Sequence, residues 1–267
     1  MKVSFIGGGV MAEALIKGTL DFGVFSSGDI VVSDPLSSRL EYLHLEYGVD
    51  VSESNEEAIE SSDVVILAVK PQTMSSVTPI LRDNLREDQV VISIVAGMTL
   101  EKIAMSINHP TVIRVMPNTA AQIGKSMSVW ACAPSVSEEH RALTARILNA
   151  VGEEYFVHDE KLLDMSTALS ASGPAYVLLF IEALIDGGVS LGMPREMAKV
   201  LTIGTVLGST EMVKLSGEHT ASLRDLVTSP GGTTIEAILS LENAGFRGSI
   251  MTAVRAAYDR SLQLGLN

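Results

Sequence analysis

A short apolar strand, Lys2-Val-Ser-Phe-Ile6, runs directly into Gly7-Gly8-Gly9-Val10-Met11-Ala12 and then into a helical pattern reaching about Phe22. Glycines at such a turn let the backbone approach a ligand. The helix start offers unpaired N–H groups to a pyrophosphate, and Ala12 lets the helix close on the sheet. The six-residue pattern is weak alone and gains force from the strands behind it. Apolar strands at Ile30 to Ser33, Asp63 to Val69, Gln89 to Val95 and Val112 to Met116 alternate with helical segments, and two more are predicted at 126–133 and 153–157. Runs such as Val64-Val-Ile-Leu67 are apolar on both faces, the mark of a central parallel strand covered from both sides. The expected fold is α/β: a Rossmann-like doubly wound sheet over residues 1–158, binding a dinucleotide through Ile6 to Met11.

Ligands of such sheets bind at the carboxyl ends of the strands. Asp34, closing the second strand, is placed to accept hydrogen bonds from an adenosine ribose and would repel a 2′-phosphate. Ser37, Ser38 and Arg39 either hold a phosphate or form an ordinary helix start. Lys70, after the strand 63–69, either touches a phosphate or leaves for solvent. Ala96-Gly97 ends the next strand with residues small enough to admit a nicotinamide. Gly124-Lys125-Ser126 resembles a phosphate loop, but Thr119 stands where its first glycine is required.

After His158 the strand patterns stop, and residues 159–267 read as an all-helical domain. Helices are predicted over Glu160 to Ser170, from Ser172-Gly173-Pro174 to Leu191 with Ser172 as cap, onward to about Ser216, at Thr220 to Val227, at 233–244 and toward Gln263. The helix 174–191 is apolar nearly all round, so other helices or a partner chain must enclose it. Before the helix 233–244 stands Ser229-Pro230-Gly231-Gly232-Thr233-Thr234, whose bare backbone at a helix start is a seat for a small anion. The same residues also suit an ordinary Pro-Gly-Gly loop.

Charge and composition narrow the partners. A net charge of −13 argues against nucleic acid, which needs clustered Lys and Arg. The acidity lies in the first half, −11 over residues 1–160 against −2 over the rest, so an anionic cofactor there must be held by backbone N–H groups. The longest apolar run, around Tyr176 to Ile185, is interrupted by Glu182 and short for a bilayer. No leader precedes Val3, and the single cysteine, Cys132, fits a reducing compartment; a soluble cytoplasmic protein, without membrane contact, is expected. The five histidines show no metal-ligand spacing.

Ser-Pro-Gly-Gly-Thr-Thr-Ile-Glu-Ala at 229–237 closely resembles the signature of the pyrroline-5-carboxylate reductases, which complete proline synthesis. The resemblance extends over essentially the whole chain, including Ala68-Val69-Lys70-Pro71 in the first half and Ser-Ala-Ser-Gly-Pro-Ala-Tyr at 170–176. It implies hydride transfer from NADPH, with NADH as the alternative, to the C=N carbon of 1-pyrroline-5-carboxylate, giving L-proline. It implies cofactor contacts at Ala68 to Pro71 and at Asn55 near the ribose, a residue otherwise readable as a helix cap. Glu160 aligns with a position near the substrate amine, although a first-turn carboxylate is favoured at any helix start. Ser229, Gly231, Gly232, Thr233 and Thr234 would hold the substrate carboxylate, and Thr234 Oγ1 would act at the ring nitrogen as the catalytic group. The family implies a homodimer of interlocked helical halves and, at the next level, a decamer of five dimers. The chain departs from the family at Asp34-Pro35, Ala120 and Ala171.

Two other readings compete. A hydroxyacid dehydrogenase of the related two-domain class typically carries a catalytic lysine on the long central helix, and Pro174 to Leu191 contains none. A nucleotide-sensing protein that keeps the fold without catalysis would have no need of an intact Ser229 to Thr234.

Overall fold

The computed structural model describes residues 1–266. One eight-stranded sheet is built from β1 (Val3–Ile6), β2 (Ile30–Ser33), β3 (Asp50–Ser52), β4 (Val64–Leu67), β5 (Val90–Ser93), β6 (Val112–Met116), β7 (Ser126–Cys132) and β8 (Gly152–Phe156). Their spatial order is β3-β2-β1-β4-β5-β6-β7-β8, with only the β6–β7 pair antiparallel. The order reverses beside β1, between β2 and β4, which places the switch point of a doubly wound sheet at the glycine turn. β3 leaves no apolar signature in the sequence. It has three residues, two of them polar, and it rests on the edge of β2.

Side chains alternate across the pleat. Val3, Phe5, Val64 and Ile66 enter one apolar cluster, while Ile6, Val65, Leu67 and Val91 enter the other. Both faces are therefore covered, by α1 (Val10–Asp21), α2 (Ser37–Tyr47), α3 (Asn55–Glu60), α4 (Met74–Asn84), α5 (Leu100–Ile107) and α6 (Glu138–Asn149).

The helical part comprises α7 (Lys161–Ser166), α8 (Gly173–Ser190), α9 (Arg195–Ser216), α10 (Thr220–Leu226), α11 (Thr233–Asn243) and α12 (Phe246–Leu266). The chain divides into two compact units, residues 1–172 with 257–267, and residues 173–256.

A break expected at Ser172 is absent. Ser172 has helical angles, φ −83° and ψ −22°, and Thr167–Ala171 forms a π-helical turn that joins α7 to α8 without interruption. The reason lies in Pro174, which has no N–H to offer the Ser170 carbonyl. That carbonyl instead accepts from Asn118 Nδ2 at 3.3 Å, while Ser172 N–H reaches back five residues to Thr167 O. Residues 161–190 thus form one 30-residue helix, long and apolar enough by length and composition to cross a membrane. The expectation of a segment too short for that counted only the strictly apolar run, and the continuous helix overturns it.

Within residues 173–256 only Ala198, Thr202 and Leu223 are buried. α8 and α9 approach closely at Gly188, where a Cβ would lie 3.1 Å from that of Ala198. The rings of Phe180 and Phe246 pack 6.1 Å apart. Leu178, Leu179, Val200 and Leu207 stay at least 60% exposed. This unit buries far too little apolar surface by itself, which is what a surface built to be covered by another chain looks like.

Candidate functional site

In the first unit the glycine turn forms as the sequence pattern requires. Gly7 sits at φ +100°, its N–H bonded to Ser33 O at 2.8 Å, and a Cβ there would lie 2.9 Å from Ala68 O. Only glycine fits so near the β4 backbone. Ala68 N–H in turn bonds Ile6 O at 2.9 Å, so the ends of β1 and β4 are tied together at the turn. Gly9 is the N-cap of α1, makes no side-chain cap and has open space where a Cβ would stand. Val10 beside it is 59% exposed, and Met11 packs partly against the core. An uncapped N-terminus of a twelve-residue helix under an open glycine fits a pyrophosphate.

Asp34 follows β2 and is clamped. Its Oδ2 accepts from Gly8 N–H at 2.9 Å and its Oδ1 from Leu36 N–H at 3.0 Å. Asn55 is the first residue of α3 rather than its cap, a role taken by Ser54, which accepts from Glu57 N–H. Asn55 Oδ1 accepts from Ser33 Oγ at 2.6 Å, so Asn55 joins Asp34 at the end of β2. Val69 is half-buried, Lys70 is exposed, and Pro71 opens a short 3-10 turn.

Around this turn lies a cluster that the sequence patterns did not reveal. Arg39 donates through Nε to Gly8 O and through Nη2 to Glu13 Oε2. Glu13 Oε1 accepts from both Tyr42 and Tyr47 hydroxyls at 2.9 Å. Burial alone would raise the Glu13 pKa, but the hydrogen bonds from Arg39, Tyr47 and Tyr42 outweigh it and hold the carboxyl below its ordinary range. Burial and the same carboxylate push Tyr47 upward.

At the other strand ends, Gly97 has φ +79° and is buried, and a Cβ there would lie 3.0 Å from that of Leu264. Its small size serves the packing of the last turns of α12 rather than an open approach, while Ala96 stays half-buried. Close by, Arg114 is fully buried on β6 and forms ion pairs with Glu160 at 2.8 Å and Asp164 at 2.9 Å. Glu160 Oε1 also caps α5 through Leu100 N–H at 2.7 Å, and Asp164 accepts from Ser261. Glu160 is thus an oriented carboxylate. A lone arginine inside an apolar strand was the available signal for this cluster, because a buried guanidinium demands acidic partners.

In the second unit, Gly231 lies exposed at φ +65° with open space around its Cβ position. Gly232 is the N-cap of α11 without a side-chain cap, and a Cβ there would collide with Ser229 Oγ. Gly232 N–H closes the turn onto Ser229 O at 3.1 Å, so the seat's N–H groups are those of the residues that start the helix, Thr233 and Thr234. Thr233 is exposed and Thr234 half-buried.

Known proteins resemble this chain in both sequence and fold. The family profile described as pyrroline-5-carboxylate reductase dimerisation matches residues 160–264, and one described as NADP oxidoreductase coenzyme F420-dependent matches residues 2–97. A pyrroline-5-carboxylate reductase of Synechocystis is 44% identical over 99% of this chain and 98% of the relative. That of Escherichia coli is 37% identical over 98% of each. The crystal structure of Plasmodium falciparum pyrroline carboxylate reductase with NADP bound superposes with a TM-score of 0.91 at 33% identity, covering 99% of this chain and 98% of that one. Likeness at this level over nearly the whole length is decisive: the chain belongs to the pyrroline-5-carboxylate reductase family.

Proposed function

We propose that this chain reduces 1-pyrroline-5-carboxylate to L-proline with a hydride from NAD(P)H, the last step of proline biosynthesis. The observation that carries the reading is the open Ser229 to Thr234 turn feeding an uncapped α11 in a chain that also holds a Gly7 to Gly9 dinucleotide turn. When bound, the reduced nicotinamide supplies the hydride. The protein's share is to bind, orient and exclude. The N–H groups of Thr233 and Thr234 receive the substrate carboxylate, with Ser229 and Gly231 shaping the turn and Gly232 bringing the backbone close. Thr234 Oγ1 hydrogen-bonds the ring nitrogen and aligns the acceptor carbon. A threonine hydroxyl is a poor acid, so the proton on nitrogen arrives with the iminium form or through water. Glu160 acts near the amine, its carboxylate held by Arg114 and Leu100 N–H. Cofactor contacts come from Ile6 to Met11, Asp34, Asn55, Ala68 to Pro71 and Ala96, with Gly97 closed off by Leu264.

In the same reading residues 1–158 bind the dinucleotide, and 159–267 supply the substrate seat and the dimer contacts. The exposed apolar faces of α8 and α9 support a homodimer, with a decamer of five dimers as the higher assembly. The net charge of −13 supports a small-molecule enzyme with no nucleic-acid partner, the dimer accounts for the apolar helix without a membrane, and the single cysteine suits the cytoplasm.

Absorbance of the reduced nicotinamide tests the reaction. It falls when 1-pyrroline-5-carboxylate is added; no decrease with either NADPH or NADH would favour a nucleotide-sensing role instead. Thr234→Ala lowers kcat by about 100-fold, the range for a lost group that orients and hydrogen-bonds the reacting atoms, and leaves dinucleotide affinity unchanged. Unchanged turnover would remove Thr234 from the mechanism.

A further inference from the structure

Resting on that reading, we propose that the ribose end of the dinucleotide site is built to take the 2′-hydroxyl of NADH in preference to the 2′-phosphate of NADPH, with Glu13 enforcing the choice through Arg39. Two residues contend there. An acid at the end of β2 suits the ribose hydroxyls, whereas a nearby arginine suits a phosphate. This chain has both, Asp34 and Arg39, and the geometry decides between them.

Asp34 cannot swing aside. Each of its oxygens is fixed by a backbone N–H, one from the glycine turn and one from Leu36. A phosphate arriving at the end of β2 would meet a stationary negative charge, while ribose hydroxyls could donate to it. Arg39 does little to offset that charge, because two of its three nitrogens are already engaged. Its Nε is bound to Gly8 O and its Nη2 to Glu13, and both side chains are only 23% exposed. Glu13 is anchored in turn by two tyrosine hydroxyls, and Arg39 lies 5.1 Å from the centroid of the Tyr42 ring. One of the two serine hydroxyls at the start of α2 is also taken, since Ser37 Oγ donates to Glu53 Oε1 at 2.7 Å. Of the nearby carboxylates, Glu13 thus holds the guanidinium, while Asp34 and Glu53 hold the Gly8 N–H and the Ser37 hydroxyl. An incoming dianion gains little from Arg39 unless Glu13 releases it.

Asp34 is the specificity-determining residue in this account, and Glu13 is a positioning residue that acts on the phosphate only by holding Arg39. The test is calorimetric titration of the full-length protein with NADH and NADPH, and with ADP and 2′,5′-ADP to isolate the ribose end from the chemistry. The wild type is expected to bind NADH at least about tenfold tighter than NADPH, and ADP tighter than 2′,5′-ADP by a similar factor. Glu13→Gln should shift the NADPH-to-NADH affinity ratio toward NADPH by about tenfold, and Asp34→Ser by more. Should Asp34→Ser fail to fold for want of its bond to Gly8, Glu13→Gln still leaves that bond in place. A wild type that binds NADPH as tightly as NADH overturns the proposal and leaves the reductase reading standing. A ratio unmoved by Glu13→Gln overturns the role of Glu13, since a purely structural loss would weaken both dinucleotides alike. Failure to bind either dinucleotide would sink both readings together.

Discussion

Each unit starts a helix with a bare glycine turn. Gly9 before α1 and Gly232 before α11 are both N-caps with no side-chain cap, and each turn contains a glycine at positive φ, Gly7 at +100° and Gly231 at +65°. Their surroundings differ. The first turn is gripped from outside by Ser33 O, Asp34, Arg39 and the Ala68 backbone. The second is tied to its own Ser229 and lies among exposed residues. A seat assembled by one domain is preorganised before its ligand arrives, whereas one on a helical unit with almost no core of its own is completed when another chain covers that unit. The cofactor site should therefore be a property of the chain, and the substrate site a property of the assembly.

The largest effect separates the two glycines. Gly7→Ala forces a side chain into positive φ and against Ala68 O, which should cost about 3 kcal/mol in strain and overpacking and abolish dinucleotide binding. Gly231→Ala meets open space, so its cost is the backbone term alone, about 1 kcal/mol, seen as weaker substrate use with normal dinucleotide affinity. Thermal melts and calorimetry on the two variants read the difference. Equal losses of stability would mean that the second turn is as rigidly built as the first.

The first unit was the more legible of the two in sequence for the same reason. Its signals are local: continuous apolar runs in the strands, glycines where the backbone turns, and an acid after β2. What escaped the sequence is long-range. Asn118 accounts for the Ser170 carbonyl that Pro174 cannot satisfy, so an apparent helix start at Ser172 is the middle of a longer helix. Arg114 gathers Glu160, Asp164 and, through Asp164, Ser261 from segments far apart in the chain. Gly97 looked like an opening and is instead filled by Leu264. In the second unit the turn itself was legible from six consecutive residues, but which N–H groups remain free depended on the bond from Gly232 to Ser229 O.

A smaller and more selective effect comes from breaking the assembly. Leu178 on α8 is 64% exposed in the single chain, and Leu178→Asp places a charge on that apolar face. Sedimentation should show a monomer, since a desolvated unpaired charge is strongly disfavoured at an apolar contact. Turnover should fall about 100-fold through loss of substrate orientation. Dinucleotide affinity should stay within about twofold, a change worth only a fraction of a kcal/mol. A fully active monomer would place the whole substrate site within one chain and erase the contrast between the two turns.

The smallest effect probes how the first turn is gripped. Glu13 has a folded-state pKa below its ordinary 4.5, because hydrogen bonds from Arg39 and the two tyrosines outweigh its burial. A depressed carboxylate stabilises the folded state fully above that ordinary value, and the contribution is lost as pH falls through the lowered one. Glu13→Gln should therefore melt about 2 °C below the wild type at neutral pH, the scale of one partly exposed ion pair. The gap should close as the pH drops below 4.5, because the wild-type carboxyl then takes up its proton and both proteins hold Arg39 with a neutral partner. A gap that stays constant down to acid pH would assign the grip on Gly8 to packing of Arg39 on Tyr42, and would detach the rigidity of the cofactor turn from the charge of Glu13.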